Sequence, residues 1–157
     1  ILNILIVIII FALDRISKIY ILNYAEINNS VDIYLSSFLN LYLVWNKGIA
    51  FGMLSFEGDF FYNLISIIIG IISMIILIII FKTHNYQKYF FIMILGGSLG
   101  NLFDRIYYSA VPDFIDFHIN DFHWFIFNVA DIFISLGVIC LILAEIFINK
   151  RNSDEIN

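Results

Sequence analysis

Residues 60 to 81 read Phe60-Phe-Tyr-Asn-Leu-Ile-Ser-Ile-Ile-Ile-Gly-Ile-Ile-Ser-Met-Ile-Ile-Leu-Ile-Ile-Ile-Phe81, a run of Ile, Leu, Phe and Met without a charged residue. About 20 consecutive apolar residues are what a helix needs to cross the hydrocarbon core of a bilayer. Backbone in lipid must satisfy its own hydrogen bonds, so this run is expected to be a membrane helix. A barrel strand would alternate over about ten residues, and the run does not alternate.

Three more apolar stretches flank it. One covers about residues 1–22 and is interrupted by Asp14, Arg15 and Lys18. Another, about 89–108, ends in the polar run Gly96-Gly-Ser-Leu-Gly-Asn-Leu-Phe-Asp-Arg105, and the last, about 124–149, carries Asn128, Asp131 and Glu145. Of 157 residues, 62% are hydrophobic and 13% charged, against about 25% charged in soluble domains. Lipid must therefore be the solvent for much of this surface. Residues Phe38 to Asn46 partly alternate and are rich in aromatic and branched side chains, followed by Gly48 and Gly52. They predict strands. The expected fold class is an all-α membrane protein: four transmembrane helices with a small extracytoplasmic β-rich subdomain over about 25–58. One membrane-embedded domain covers 1–151, and 152–157 read as a disordered tail.

The net charge of −5, with eight scattered Lys and Arg, excludes nucleic acid, which needs clustered basic residues. Cys140 is the one cysteine, which excludes an intrachain disulfide and a thiol-rich metal centre. In its apolar run it reads as a small buried hydrophobe. Residues 1–13 have the apolar character of a signal-peptide core, but no basic stretch precedes them and no small-residue cleavage site follows. They are read as a retained membrane segment.

Short connections rich in Lys and Arg face the cytoplasm. Lys82 and Lys88 flank the second-to-third connection, and Lys150 and Arg151 follow the fourth stretch. Asn23 to Asp59 contains only Lys47, beside Glu26, Asp32, Glu57 and Asp59, and Ser109 to His123 has no Lys or Arg. Both termini are expected in the cytoplasm. Tyr20, Tyr24, Tyr107, Tyr108 and Trp124 then fall near the outer interface, where amphipathic rings prefer to lie.

Ionisable groups inside a membrane helix cost at least about 2.5 kcal/mol on insertion scales and mark functional sites by default. Counting inward from the outer aromatic residues at about 1.5 Å per residue puts Lys18, Asn101 and Asp131 roughly 10 Å deep, with Asp14 one turn deeper. Agreement in depth across three helices points to one site. Local readings compete with it. Asp14 and Lys18 are spaced i,i+4 with the acid first, a favourable pair on one face. Asp104 and Arg105 make an interfacial pair, and Gly96, Gly97 and Gly100 admit a close neighbouring helix. His118 and His123 read as solvated or interfacial, because two histidines without a third ligand make a weak zinc signal.

Asp113, just after the third stretch, faces Asp131 if its segment folds back on the bilayer. Two carboxyl groups sharing a site cannot both ionise comfortably, which supplies a base to activate water and an acid for the leaving group. Spacing alone leaves open a catalytic dyad, a structural pair or an ion-binding site. The buried charges also suit a small ion- or proton-coupled membrane transporter, and the surface strands suit a non-catalytic assembly factor.

Five motifs in order decide among these: Asp14-Arg-Ile-Ser-Lys18, Asn46-Lys-Gly-Ile-Ala-Phe-Gly52, Gly96 to Arg105, Val111-Pro-Asp-Phe-Ile-Asp116 and Phe127-Asn-Val-Ala-Asp131. Together they span nearly the whole chain, and the sequence resembles the bacterial lipoprotein signal peptidases, or signal peptidase II. The resemblance implies an intramembrane aspartic endopeptidase of the bacterial cytoplasmic membrane, with its active site towards the outer face. Such enzymes remove the signal peptide of diacylglyceryl-modified prolipoproteins, cutting before the lipidated cysteine. The family's catalytic aspartates map onto Asp113 and Asp131. Its polar surround maps onto Asn101, Asp104, Arg105 and Asn128, its outer-loop motif onto Asn46 and Gly48, and its first-helix motif onto Asp14 and Lys18. No metal or organic cofactor is expected, since water is the nucleophile; the expected partners are prolipoprotein substrates and lipid, and the chain is expected to act as a monomer. Arg15 stands where the family often has Gln, Ser98 where it often has Ala, and Pro112 where a branched apolar residue is usual. Proline restricts its own φ and that of Val111, which bears on how Asp113 is presented.

Overall fold

In a computed structural model that describes residues 2–48, 59–120 and 122–154, the elements run α1 (Leu2–Asn28), β1 (Asp32–Ser36), β2 (Leu39–Asn46), α2 (Asp59–Lys82), α3 (Gln87–Tyr108), β3 (Val111–Ile119), β4 (Phe122–Phe127) and α4 (Val129–Asp154). Among the described residues, two helical segments are long and apolar enough to cross a membrane: Phe60–Lys82 of α2, with mean hydropathy 3.3, and Val129–Phe147 of α4, with 2.4. Along α2, Ile67, Ile71, Met74 and Ile78 are each more than half exposed. An apolar face of that size is what lipid covers. Helices α1 and α3 carry charged residues along their length, and five of them turn inward: Asp14, Arg15 and Lys18 on α1 and Asp104 and Arg105 on α3 are buried.

Helix α3 is the central post, packed against α1, α2 and α4. Small residues make that possible, because a side chain at either of two glycines would collide with a neighbouring element. A Cβ at Gly97 would lie 2.5 Å from the Ala130 carbonyl oxygen of α4, and one at Gly100 would lie 2.5 Å from the Asp14 carboxylate of α1. Ile76, Ile80, Ile92, Ile94 and Leu95 form the apolar core between α2 and α3. A second core of Ile21, Val31 and Phe114 fastens the sheet to α1.

The four strands form one antiparallel sheet in the order β1-β2-β3-β4. Ser109, at φ 55°, ends α3 in the left-handed region and turns the chain into β3. The register pairs Asn46 with Val111 and Val44 with Asp113, which brings the end of β2 against the start of β3. Pro112 fits there because β4 pairs with β3 only from Ile115 onward, so its missing N–H interrupts no bond to β4.

Several boundaries differ from the sequence-based expectation. Helix α1 continues to Asn28 instead of stopping near residue 22, so the β-rich segment begins at Asp32, and residues 49–58 lie outside the described part. Residues 111–119 and 122–127 are strands, where a loop and the start of the last helix were expected. The reason is visible in Phe122-His-Trp-Phe-Ile-Phe127, whose aromatic residues suit either a membrane interface or a strand; pairing with β3 decides. At the other end, residues 152–154 continue α4 rather than beginning a disordered tail, while 155–157 lie outside the described residues.

Candidate active site

The start of α4 organises the site. Asn128 precedes the helix, and its side-chain oxygen accepts a 3.1 Å hydrogen bond from the Asp131 backbone N–H, while the Asn128 backbone N–H donates to Asp131 Oδ2 at 3.1 Å. This reciprocal arrangement is a capping box, which satisfies two of the N–H groups that a helix start leaves without partners. The Ala130 N–H donates to Asp14 Oδ1 at 3.0 Å, reaching across from α1. Carboxylates at a helix N-terminus also oppose the positive end of its dipole.

The same Asn128 reaches the second carboxylate. Its side-chain amide donates to Asp113 Oδ1 at 2.6 Å, and Asn46 donates to Asp113 Oδ2 at 2.8 Å. Asp131 Oδ1 accepts from the Asn101 amide at 2.9 Å. Asn128 thus holds one acid through its side chain and the other through its backbone. Asp113 is 2% exposed. Loss of water around it, followed by the nearby Asp131 charge, pushes its carboxyl up to about 7, against hydrogen bonds from Asn128 and Asn46 that pull the other way.

Behind this pair lies an ionic cluster. Lys18 Nζ is 2.8 Å from Asp14 Oδ1 and 2.6 Å from Asp104 Oδ2, and donates to Asn101 Oδ1 at 2.9 Å. Arg15 completes it, 2.6 Å from Asp104 and 3.2 Å from Asp14. Buried charges are tolerable when paired and hydrogen-bonded in this way. Asn101 therefore links Lys18 to Asp131 through its two amide atoms.

Asp104 and Arg105 do not pair with each other as the sequence suggested. Successive helical residues point apart, so Asp104 faces α1 while Arg105 donates to the Gly48 carbonyl and lies 5.3 Å over the Tyr62 ring. The Gly48 N–H in turn donates to Asn46 Oδ1 at 2.8 Å. Arg105 Nε and Nη1 are buried without a hydrogen-bond partner among the described residues.

A cavity of about 210 Å³ opens beside the two acids. Asn46, Asn101, Arg105, Asp113, Asn128 and Asp131 supply its polar wall, and Ile69, Ile72, Ile76, Ile94 and Ile134 much of the rest. Asp14, Lys18 and Asp104 are not on that wall; they stand behind Asn101. Ser73 and Ser98 also line it, joined by a 3.1 Å hydrogen bond; Ser98 was noted only as a departure from the family pattern, and Ser73 was not singled out from sequence, nor were Arg15 or Tyr62 as partners. The depth count also needs correcting. Asp131 lies in the first turn of α4, not two turns below Trp124, because Trp124 belongs to β4. Asn128-Val-Ala-Asp131 ahead of an apolar run carries the signal that would have placed that helix start.

Residues 6–147 match the family model described as signal peptidase (SPase) II. This chain belongs to the signal peptidase II family. Among curated relatives, the lipoprotein signal peptidase of Pelagibacter ubique (strain HTCC1062) is 55% identical, over 99% of this chain and 94% of its own length. That of Francisella tularensis subsp. novicida (strain U112) is 40% identical over 92% and 91%, and that of Anaplasma marginale (strain Florida) 33% over 96% and 88%. A solved structure described as a bacterial membrane enzyme, determined by the in meso method at 2.3 Å, is similar with a TM-score of 0.69 and 28% identity, over 92% of this chain and 87% of that one. The signal peptidase II match spans all four helices and the sheet, so the polar cluster and its cavity lie within the matched region.

Proposed function

We propose that this chain removes the signal peptide from diacylglyceryl-modified prolipoproteins, cutting before the lipidated cysteine, with Asp113 and Asp131 as the catalytic pair. The observation that carries the reading is Asn128 bonded to both carboxylates at one cavity. In the proposed reaction a water molecule between the acids attacks the scissile carbonyl carbon while Asp131 takes its proton. Asp113, protonated below about 7, first donates to the carbonyl oxygen. The tetrahedral intermediate then collapses: the C–N bond breaks, the leaving nitrogen takes the proton held by Asp131, and the hydroxyl of the intermediate returns a proton to Asp113 as the carbonyl re-forms. Arg105, whose Nε and Nη1 have no partner among the described residues, carries donors that suit a substrate backbone oxygen.

The membrane placement belongs to the same proposal. All four helices span the bilayer, α1 and α3 being allowed to do so because their charges are buried against one another. Both termini lie in the cytoplasm, and the sheet lies on the outer face above the cavity. A lipidated peptide held in the outer leaflet then reaches the site from the side, and its extended backbone meets the start of β3, which β4 leaves uncovered. We read the chain as a monomer in lipid, with a single membrane-embedded domain over 1–151.

The test uses purified protein in detergent or lipid with a diacylglyceryl-modified prolipoprotein, following release of the signal peptide. Asp113→Asn and Asp131→Asn each abolish release while the protein stays folded. Full cleavage by either variant removes the assignment of the pair.

A further inference from the structure

The β3–β4 hairpin carries a second cluster, away from the cavity. Asp116 and His118 are two residues apart on β3, the spacing that puts side chains on one face of a strand. His123 on β4 pairs with His118 across the hairpin, next to an irregularity in register after Phe117. The sequence offered two histidines, read as solvated or interfacial, without a third ligand; the fold adds Asp116 and buries His118. One ligand atom from each of Asp116, His118 and His123 lies within 4.8 Å of the others.

His123 Nδ1 is 2.8 Å from Asp116 Oδ2, and His118 Nδ1 is 3.6 Å from the same oxygen. A hydrogen bond between Asp116 and His123 accounts for only one histidine. His118 is 8% exposed, and its Nδ1 is buried without a hydrogen-bond partner among the described residues. The two rings stack at 5.1 Å and 28°, so both face the shared carboxylate from one side. Asn40 is the β2 partner of Asp116, and its Oδ1 is likewise buried and unpartnered among the described residues.

We propose that Asp116, His118 and His123 bind a divalent cation of the zinc class, through both Nδ1 atoms, one carboxylate oxygen and a water. Tetrahedral zinc at its usual bond lengths separates neighbouring ligand atoms by roughly 3.3 Å. The 2.8 Å and 3.6 Å separations from the carboxylate oxygen fall on either side of that value, and the ligand atoms of the two histidines lie within 4.8 Å of each other, a span that small side-chain rotations close. Two imidazoles and a carboxylate are a donor set that zinc accepts and that magnesium or calcium does not favour. The half-exposed His123 leaves an entry path for the ion and a position for water. The ion does no bond-breaking chemistry here. It ties β3 to β4, and β3 is the strand that presents Asp113.

The experiment uses the full chain without a polyhistidine tag, in detergent micelles and stripped of metal by a chelator. Zinc is titrated calorimetrically, cobalt(II) absorption reports the ligands, and melting is recorded with and without zinc. The expected result is one zinc per chain, a raised melting temperature and a four-coordinate cobalt spectrum. His123→Ala weakens zinc binding by at least about tenfold and removes the shift in melting, while His84→Ala changes neither. His118→Ala has the same effect on binding, and the exposure of His123 keeps the test decisive if that buried variant fails to fold. Absence of saturable binding, or zinc affinity unchanged in His123→Ala, overturns the proposal.

Discussion

Asn128 is the residue whose removal tests the site most directly. It is fully buried, caps α4 and donates to Asp113 at 2.6 Å. Asn128→Ala removes the cap, worth about 1 kcal/mol, and a hydrogen bond to a buried carboxyl, worth about 1.5–3 kcal/mol when that group is charged. The expected loss of unfolding free energy is therefore roughly 3 kcal/mol. Asn128→Ser separates the two contributions. Its hydroxyl can still accept from the Asp131 N–H, but it supplies no amide to reach Asp113, so it should recover about 1 kcal/mol of the stability. Activity should not recover. Both variants release Asp113 from its fixed position, and a displacement near 1 Å lowers turnover by about 100-fold. Unfolding in micelles measures the first quantity and cleavage of a lipidated prolipoprotein the second. A serine variant with unaltered turnover would refute the view that the Asn128 amide positions Asp113 for chemistry.

Three further outcomes follow from the same geometry. Asp113 titrates near 7 in the folded protein against an ordinary 3.8, so its contribution to stability is complete below about pH 4 and is lost as pH rises through 7, a change on the order of 4 kcal/mol. Unfolding followed across that range should show a flatter pH dependence for Asp113→Asn, and the cleavage rate should fall above about 7 as the acid form disappears. Lys18→Met leaves Asp14 and Asp104 with Arg15 alone among the cations they contact; a loss of about 3–5 kcal/mol in unfolding free energy is expected. Gly97→Ala drives a methyl into the Ala130 carbonyl of α4 and should destabilise by about 1–3 kcal/mol. Gly70→Ala, whose nearest neighbour would be 4.0 Å away, should be neutral or stabilising when melted alongside it.

Much of this protein was legible from residue order. The run from Phe60 to Phe81 reads as a membrane helix from residue order, and α2 is long and apolar enough to cross a membrane. The order of polar motifs identified the family, and Asp113, Asp131, Asn46, Asn101, Arg105 and Asn128 do gather at one cavity. The depth count reached a cluster despite placing the start of α4 too early, since the error shifted the helix boundary and not the identity of its polar residues. What sequence could not separate was strand from loop in residues 111–119, and strand from helix start just before Asn128. Aromatic residues there serve either, and only pairing across β2, β3 and β4 settles the choice.

Local chemistry by itself determined which residues carry charge and that the run Phe60 to Phe81 is apolar enough for lipid. Tertiary structure decided the partners. Asp104 and Arg105 are neighbours in the chain, yet one balances Lys18 and the other holds Gly48, because a helix turns adjacent side chains towards different elements. His118 and His123 gained Asp116 for the same kind of reason: a hairpin joins residues that linear spacing leaves unrelated.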